Sequence, residues 1–448
     1  MSMLMAGFGR VNVTPMLGIG VAGYYKERFA DGVLDDLEIN ALALACGDDR
    51  VVLLSMDHCG LKRNVMEVYR KHVSEATGIP FEAVFISATH THTGPILEEG
   101  SQDTLIQEYY QLVYRKMADA ACLALGDLKP ARMGWRIGNG PNVAFVRRFR
   151  MKDGGIRTNP GVNNPNIESP IGDVDERVNV LRFDQENGDS LVLVNFGNHP
   201  DMVGGNKISA DWPGFLRRTV EKSLDHTRCI FFNGAQGDVN HVNVWPKNGD
   251  LNDTFMDFDD VSRGYGHARY VGRVMAGAVL QVFDKVEYVE VDSLRWVQRE
   301  IKVPSNMPTS EEVEKARGIA ALHRAGKDEE LPFQGMELTT VVAEAERMLD
   351  LEHGPEEFSM PLSGIGIGEV ALVGIPGEPF TGIGRALKDT PGFALILPCC
   401  LVNGAEGYFP MKEAYEEGGY ESRSSEFKAG VAELIIQEGK KLLEELSH

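Results

Sequence analysis

The segment "ATHTHTGP" sets His90 and His92 two residues apart, directly after the apolar run Val84, Phe85 and Ile86. On an extended segment, residues two apart project to the same side, so both imidazoles can enter one pocket. The threonines between and around them are suited to bracing such a loop by hydrogen bonds. The arrangement recurs elsewhere. "SLVLVNF" runs into Gly197, Asn198, His199 and Pro200, "VALVGIP" runs into Gly377, Glu378 and Pro379, and "FALILPCCLVNGAEG" leads to Tyr408. Three of the eleven histidines and Glu378 thus stand just beyond separate strand ends, boxed by Gly or Pro. In open α/β sheets ligand sites gather at such positions. Any one of these residues alone reads as a structural cap. Together, imidazole nitrogens and a carboxylate oxygen without thiolates make the ligand set of a catalytic zinc that keeps an open coordination position. The six cysteines contain no CxxC pair and fall largely in or beside apolar runs. They read as buried free thiols suited to a reducing compartment, and a cysteine-ligated zinc site is not expected.

The elements that must position these residues alternate. Short, nearly continuous apolar runs ("VVLLSMD", "AVFIS", "SLVLVNF", "CIFFNG", "VALVGIP", "FALILP") read as strands covered on both faces. Between them "RNVMEVYRKHVSEATG", "TLIQEYYQLVYRKMADAACLALG", "WPGFLRRTVEKSL" and "HARYVGRVMAGAVLQVFD" read as helices. The expected fold is α/β, with a mixed central β-sheet flanked by helices. No repeat or linker divides the 448 residues, so residues 1–448 read as one elaborated catalytic domain. A polar loop insertion is expected at about 245–263 and a helical insertion at about 308–352. A formal charge of −21 argues against nucleic acid and anionic membrane surfaces as partners. No segment has the apolar length of a membrane span. "MSMLMAGFGRVNVTP" has neither a basic n-region nor an h-region, so a cytoplasmic location is expected.

The ordered series "GFGRVNVTPMLGIGVAGY", "ISATHTHTGP", "GNHPDMVGGNKISADWPGF", "NGAQGDVN" and "PGEPFTGIG", followed by a late tyrosine segment, resembles the catalytic region of the neutral (alkaline, non-lysosomal) ceramidases. The resemblance covers most of the chain. It implies one zinc ion held by His90, His199, Glu378 and Tyr408, with His92 beside the activated water. It also implies that Arg147, in "NVAFVRRFRMKDG", and Tyr420, twelve residues after Tyr408, complete the pocket, with Arg148 the adjacent alternative for the arginine. The implied activity is zinc-dependent hydrolysis of N-acyl amides, a metal-activated water attacking the amide carbonyl. His92 would pass the proton to the leaving amine, and Arg147 and Tyr420 would donate to the oxyanion. Asp57 and Asp211 either orient the ligand histidines or cap turns.

Three departures bear on substrate. Asn240 stands in "GDVNH" where the family carries serine, and neither a leader nor a C-terminal immunoglobulin-like domain is recognised. The expected partner is therefore a small, soluble or short-chain acyl amide, without stable membrane insertion. The alternatives are a true ceramidase (N-acylsphingosine amidohydrolase) and a non-catalytic metal or acyl-amide binder on the same scaffold. A further rival is an amidohydrolase barrel, in which an H-x-H after the first strand binds metal and Glu378 and Tyr408 go unused.

Overall fold

In the computed structural model, which describes residues 3–253 and 264–448, the apolar runs become strands buried along nearly their whole length. The central sheet has nine strands. Its path runs Thr227–Asn233, Ser190–Phe196, Arg177–Gln185, Lys129–Asn139, Leu4–Asn12, Glu38–Cys46, Asp49–Met56, Val84–Ala88, and Glu287–Val289 pairs alongside Lys129–Asn139. Only the two ends are parallel: Ser190–Phe196 with Thr227–Asn233, and Asp49–Met56 with Val84–Ala88. The middle is antiparallel, so the sheet is mixed, as expected. An open, mainly antiparallel sheet excludes the eight-unit barrel.

The sheet curls until its two ends meet. Ser55 donates its hydroxyl to the Phe231 carbonyl, and Phe85 packs edge-on against Phe232 with ring centroids 5.9 Å apart. Such an aromatic pair contributes about 0.5–1.5 kcal/mol beyond its buried area. A second, four-stranded sheet (Leu294–Pro304, Glu357–Ile367, Val370–Gly374, Leu395–Cys399) carries the chain that leads to Glu378 and Tyr408. It joins the first where the Cys400 amide donates to Asn233 (2.9 Å), the Ala88 amide to Leu401 (3.3 Å), and Asn195 to Pro398 (3.0 Å). Three strand ends from distant parts of the sequence therefore converge on one point.

The expected helices form at Arg63–Thr77, Thr104–Gly126, Asp211–Ser223 and Tyr265–Phe283. Gly78 ends the first at φ 73°, the left-handed cap that glycine adopts at least cost. The expected insertion at 308–352 contains the helices Ser310–Arg324 and Gly335–Leu351, the first opened by a Thr309/Glu312 capping box. This pair reaches the candidate site from outside. Arg423, in the short helix Tyr420–Ser424, bonds Glu337 (3.2 Å) and Glu344 (2.5 Å), and His323 Nε2 lies 3.2 Å from the Tyr25 carbonyl. Of the polar loop at 245–263, residues 254–263 lie outside the described residues. No described helix is long and apolar enough to cross a membrane, and all six cysteines are free, four of them buried.

Candidate active site

His90 follows the strand at one end of the curled sheet and His199 the strand next to its other end, and one buried side chain joins their loops. Asn233 donates its amide hydrogens to the carbonyls of Thr89 (3.2 Å) and Asn198 (3.1 Å), the residues immediately before each histidine, and accepts the Asn198 amide (3.2 Å). The THTH loop is held tightly on its other side. Thr91 and Thr93 donate to the Ser209 carbonyl (2.6 and 3.2 Å), and the His90 amide donates to His58 (2.8 Å). These bonds hold His90 at φ 79°, a left-handed conformation that costs a non-glycine residue roughly 1–2 kcal/mol. Glu378 follows the strand Val370–Gly374 of the second sheet, and Glu378–Pro379 pairs in parallel with Tyr408–Phe409 as a separate two-stranded sheet in which Glu378 stands opposite Tyr408. Glycine permits this approach: a Cβ on Gly237 would lie 2.5 Å from the Glu378 carbonyl oxygen, and one on Gly377 2.5 Å from that of Gly407.

The histidine tautomers follow from their backbone partners. The Nδ1 of His90 meets the Cys59 carbonyl, and that of His199 lies between the carbonyls of Gln236 (3.0 Å) and Val239 (2.9 Å). Carbonyls only accept, so in the neutral rings Nδ1 carries the hydrogen and Nε2 presents its lone pair. Those two Nε2 atoms sit 3.2 and 3.1 Å from the same oxygen, Oε2 of Glu378. Gln236 donates its amide to that oxygen at 3.2 Å. With both rings neutral, two lone pairs and a carboxylate oxygen would repel one another in this buried space, so either a proton on a ring nitrogen or a metal ion must lie among them. His90, His199 and Glu378 therefore fit a metal ion, and their N,N,O donor set suits zinc. Tyr408 stacks on His199 with ring centroids 6.5 Å apart, and its hydroxyl hydrogen-bonds the Arg147 guanidinium.

The charges respond to this crowding. Burial acts to raise the Glu378 carboxyl, but with no metal between them a protonated His90, together with His199, holds it well below the usual carboxylate range. Burial acts to lower His90 as well, yet Glu378 raises it well above its ordinary value, a proton standing where a metal ion would. Burial lowers His199, and Arg147 adds to the effect. His92, whose Nε2 is 3.3 Å from that of His90, is pushed down to about 3 by burial and then by His90. It is a neutral imidazole beside the cluster. A second possible donor set, Cys59, His90 and His92, shares His90. The Cys59 thiol is on the Nδ1 side of that ring, 3.9 Å away, where the N–H is already given to a carbonyl.

The two adjacent arginines diverge. Arg147 Nη1 lies 3.4 Å from His199 Nε2, its Nη2 donates to Gly237 (2.6 Å), and its Nε pairs with Glu421 (2.7 Å). Arg148 turns away to Glu417 (3.1 Å) and the Gly418 carbonyl (2.9 Å). Tyr420 packs against Tyr408 (5.5 Å between centroids) and shares a hydroxyl hydrogen bond with Tyr25. Neither Asp57 nor Asp211 contacts a ligand histidine. Asp57 binds Arg217, and Asp211 accepts the amides of Val203 (2.9 Å) and Trp212 (2.6 Å), the turn-capping role. Asn240 bonds Asn159 (3.0 Å) and the Val242 amide (3.0 Å), away from the cluster.

Sequence reasoning missed Gln236, Asn233, Glu421 and the backbone of Cys59. Gln236 lies inside "AQGDVN", and Glu421 directly follows Tyr420, so their neighbourhoods carried the only signal. Above His90, His92 and Glu378 opens a cavity of about 610 Å³, whose walls include Tyr24, Lys62, Asn64, Glu406, Tyr420 and Glu426.

No family model matches the chain. Among solved structures, it is similar to the neutral ceramidase from Pseudomonas aeruginosa at a TM-score of 0.75 and 18% identity, over 100% of this chain and 75% of that one. A ceramidase solved in complex with C2 matches at a TM-score of 0.72 and 17% identity, over 99% of this chain and 75% of that one. The chain has the neutral-ceramidase fold.

Proposed function

We propose that this chain is a zinc-dependent amidohydrolase acting on soluble or short-chain N-acyl amides. Support for the metal comes from the donor imbalance at Glu378, which a cation resolves, and from the fold shared with ceramidases. His90, His199 and Glu378 would hold the ion, with Tyr408 as the fourth ligand. Zinc there supplies Lewis acidity and a water that ionises near neutral pH. The chain's own residues do the rest. Backbone carbonyls at Cys59, Gln236 and Val239 keep the ligand rings in the tautomer that offers Nε2. His92, neutral and adjacent, takes the proton from the attacking water and returns it to the departing nitrogen. Arg147, fixed by Glu421 and Gly237, and Tyr420 donate to the oxyanion as the carbonyl becomes tetrahedral. Because water is the nucleophile, the asparagine at position 240 is compatible with turnover.

The substrate reading rests on one observation: among the described residues, no leucine, isoleucine, valine, phenylalanine or methionine lines the cavity above the cluster. Each methylene of a long acyl chain left unburied forgoes about 0.8 kcal/mol, so this wall does not select lipid tails. The second reading, a true ceramidase, is favoured by the activity named for the fold neighbours. Six free cysteines support a reducing, cytoplasmic setting. The test is elemental analysis of the purified protein, then turnover of water-soluble acyl amides, of ceramide in micelles and of ceramide in anionic vesicles, before and after chelation. Metal-dependent turnover of the soluble amides is expected. Preferential turnover of long-chain ceramide would establish the second reading, and bound zinc without turnover of any amide or ester would leave only a binding protein.

A further inference from the structure

The cavity mouth carries charges of both signs, Lys62 acting through space on both Glu406 and Glu426, without a close ion pair between them. Lys62 stands at the start of the helix Arg63–Thr77, on one wall. Glu406 and Glu426, from later in the chain, line the same cavity. Among the described residues neither Lys62 nor Glu426 has an ion-pair partner within 4.0 Å. Glu406 accepts the Arg63 backbone amide, yet its Oε1 is buried with no hydrogen-bond partner. Lys62 is exposed, whereas Glu406 and Glu426 are partly buried; two other partly buried charges are closely matched, Lys388 with Asp175 at 2.9 Å and Arg299 with Glu438 at 2.8 Å. The rings of Tyr24, Tyr25 and Tyr420 complete the enclosure.

We infer that this mouth is a recognition subsite for a neutral, polyhydroxylated group, so that the amide cleaved below it is that of an acylated amino sugar. The inference rests on the amide-hydrolase reading and specifies its substrate. A ligand of one charge cannot satisfy the mouth. An anionic amide would meet Lys62 but be repelled by Glu406 and Glu426, and a cationic one would meet the carboxylates but be repelled by Lys62. Hydroxyls both donate and accept, so a sugar can bond the carboxylates and the ammonium together while laying its C–H face on a tyrosine ring. A pocket built to bond hydroxyls also rejects a ligand without them, since its buried polar groups are then stranded.

The experiment uses the full-length, zinc-loaded protein and compares N-acetylglucosamine with N-cyclohexylacetamide, its hydroxyl-free counterpart. N-acetylglycine, N-acetylputrescine and a short-chain ceramide in micelles complete the panel. The amino sugar is expected to exceed each of the others in kcat/KM by about 100-fold or more. Lys62→Met and Glu426→Gln should each lower the ratio of amino-sugar to cyclohexyl turnover at least about tenfold, mainly through KM. Equal turnover of the cyclohexyl amide, or preference for the anion, the cation or the ceramide, overturns the inference while leaving the hydrolase reading intact. Calorimetry of amino-sugar binding to His92→Ala separates the two in the other direction: binding without turnover in the parent protein supports the subsite and sinks the hydrolase, and absence of binding sinks the subsite.

Discussion

Two buried carboxylates stand beyond strand ends a few residues apart in space, and they have opposite fates. Asp57 faces Arg217, which donates to both its oxygens at 2.9 and 2.6 Å, while the Glu38 amide (3.0 Å) and the Thr89 hydroxyl (3.3 Å) supply further donors. Every partner of Asp57 is a donor. Glu378 Oε2 instead lies against two Nε2 atoms that in neutral rings bring lone pairs, leaving Gln236 as its side-chain donor unless a proton or a metal ion lies between them. Thr89 links the regions: its hydroxyl serves Asp57, and the next residue is His90. Burial and a strand-end position therefore do not distinguish a chemical carboxylate from a structural one. The balance of donors and acceptors around it does.

Exchanging the charge at each carboxylate for an amide tests this contrast, and the largest effect is expected at Glu378. Glu378→Gln should abolish stoichiometric metal binding and reduce amide turnover to background. Measured by denaturant unfolding, it should be no less stable than chelated wild type, because the new NH₂ group supplies the missing donor. Full metal occupancy in this variant would break the comparison. His92→Ala removes a neighbouring imidazole that the cluster does not need for holding metal. Turnover should fall by about 10²–10⁴-fold with zinc retained, and loss of zinc would move His92 among the ligands.

At Asp57 the expected effect is on folding instead. Asp57→Asn leaves the buried Arg217 without its charge partner and should destabilise the protein by about 3–5 kcal/mol, with folded molecules still binding zinc. A stable Asp57→Asn protein that lacks metal would mean that Asp57 serves the site. The smallest effect is expected at position 240, where the side chain braces a loop. Asn240→Ser should change stability by no more than about 1.5 kcal/mol, the cost of a lost hydrogen bond, and should leave kcat/KM within about threefold. A large gain in turnover would show that a hydroxyl at this position takes part in the reaction.

Much of this site was legible in the sequence because it depends on local rules. Strand ends are marked by where apolar runs stop, and a spacing of two puts His90 and His92 on one side of an extended segment. The same reading found Glu378 and Tyr408 beyond their strands, and these became direct partners in a short parallel pair. It could not find the longer, half-exposed strands such as Lys129–Asn139, whose burial alternates irregularly. It named Arg147 through the resemblance, with Arg148 as the alternative, but local pattern does not decide between the two. Adjacent residues on an extended chain face opposite ways, and which one faces inward depends on pairing with a distant segment, here Phe145–Val146 against Val239–Asn240. Asn233 reads as the last polar residue of an apolar strand, and only the curling of the sheet brings the two histidine loops within reach of its amide. The polarity of the cavity wall is likewise tertiary, because Lys62, Glu406 and Glu426 come from three separate stretches of chain. The sequence by itself determined which residues stand together at the candidate site, since backbone periodicity fixes where a strand's side chains point. The tertiary structure alone decided which carboxylate is left short of donors, since that count sums over partners that no local pattern specifies.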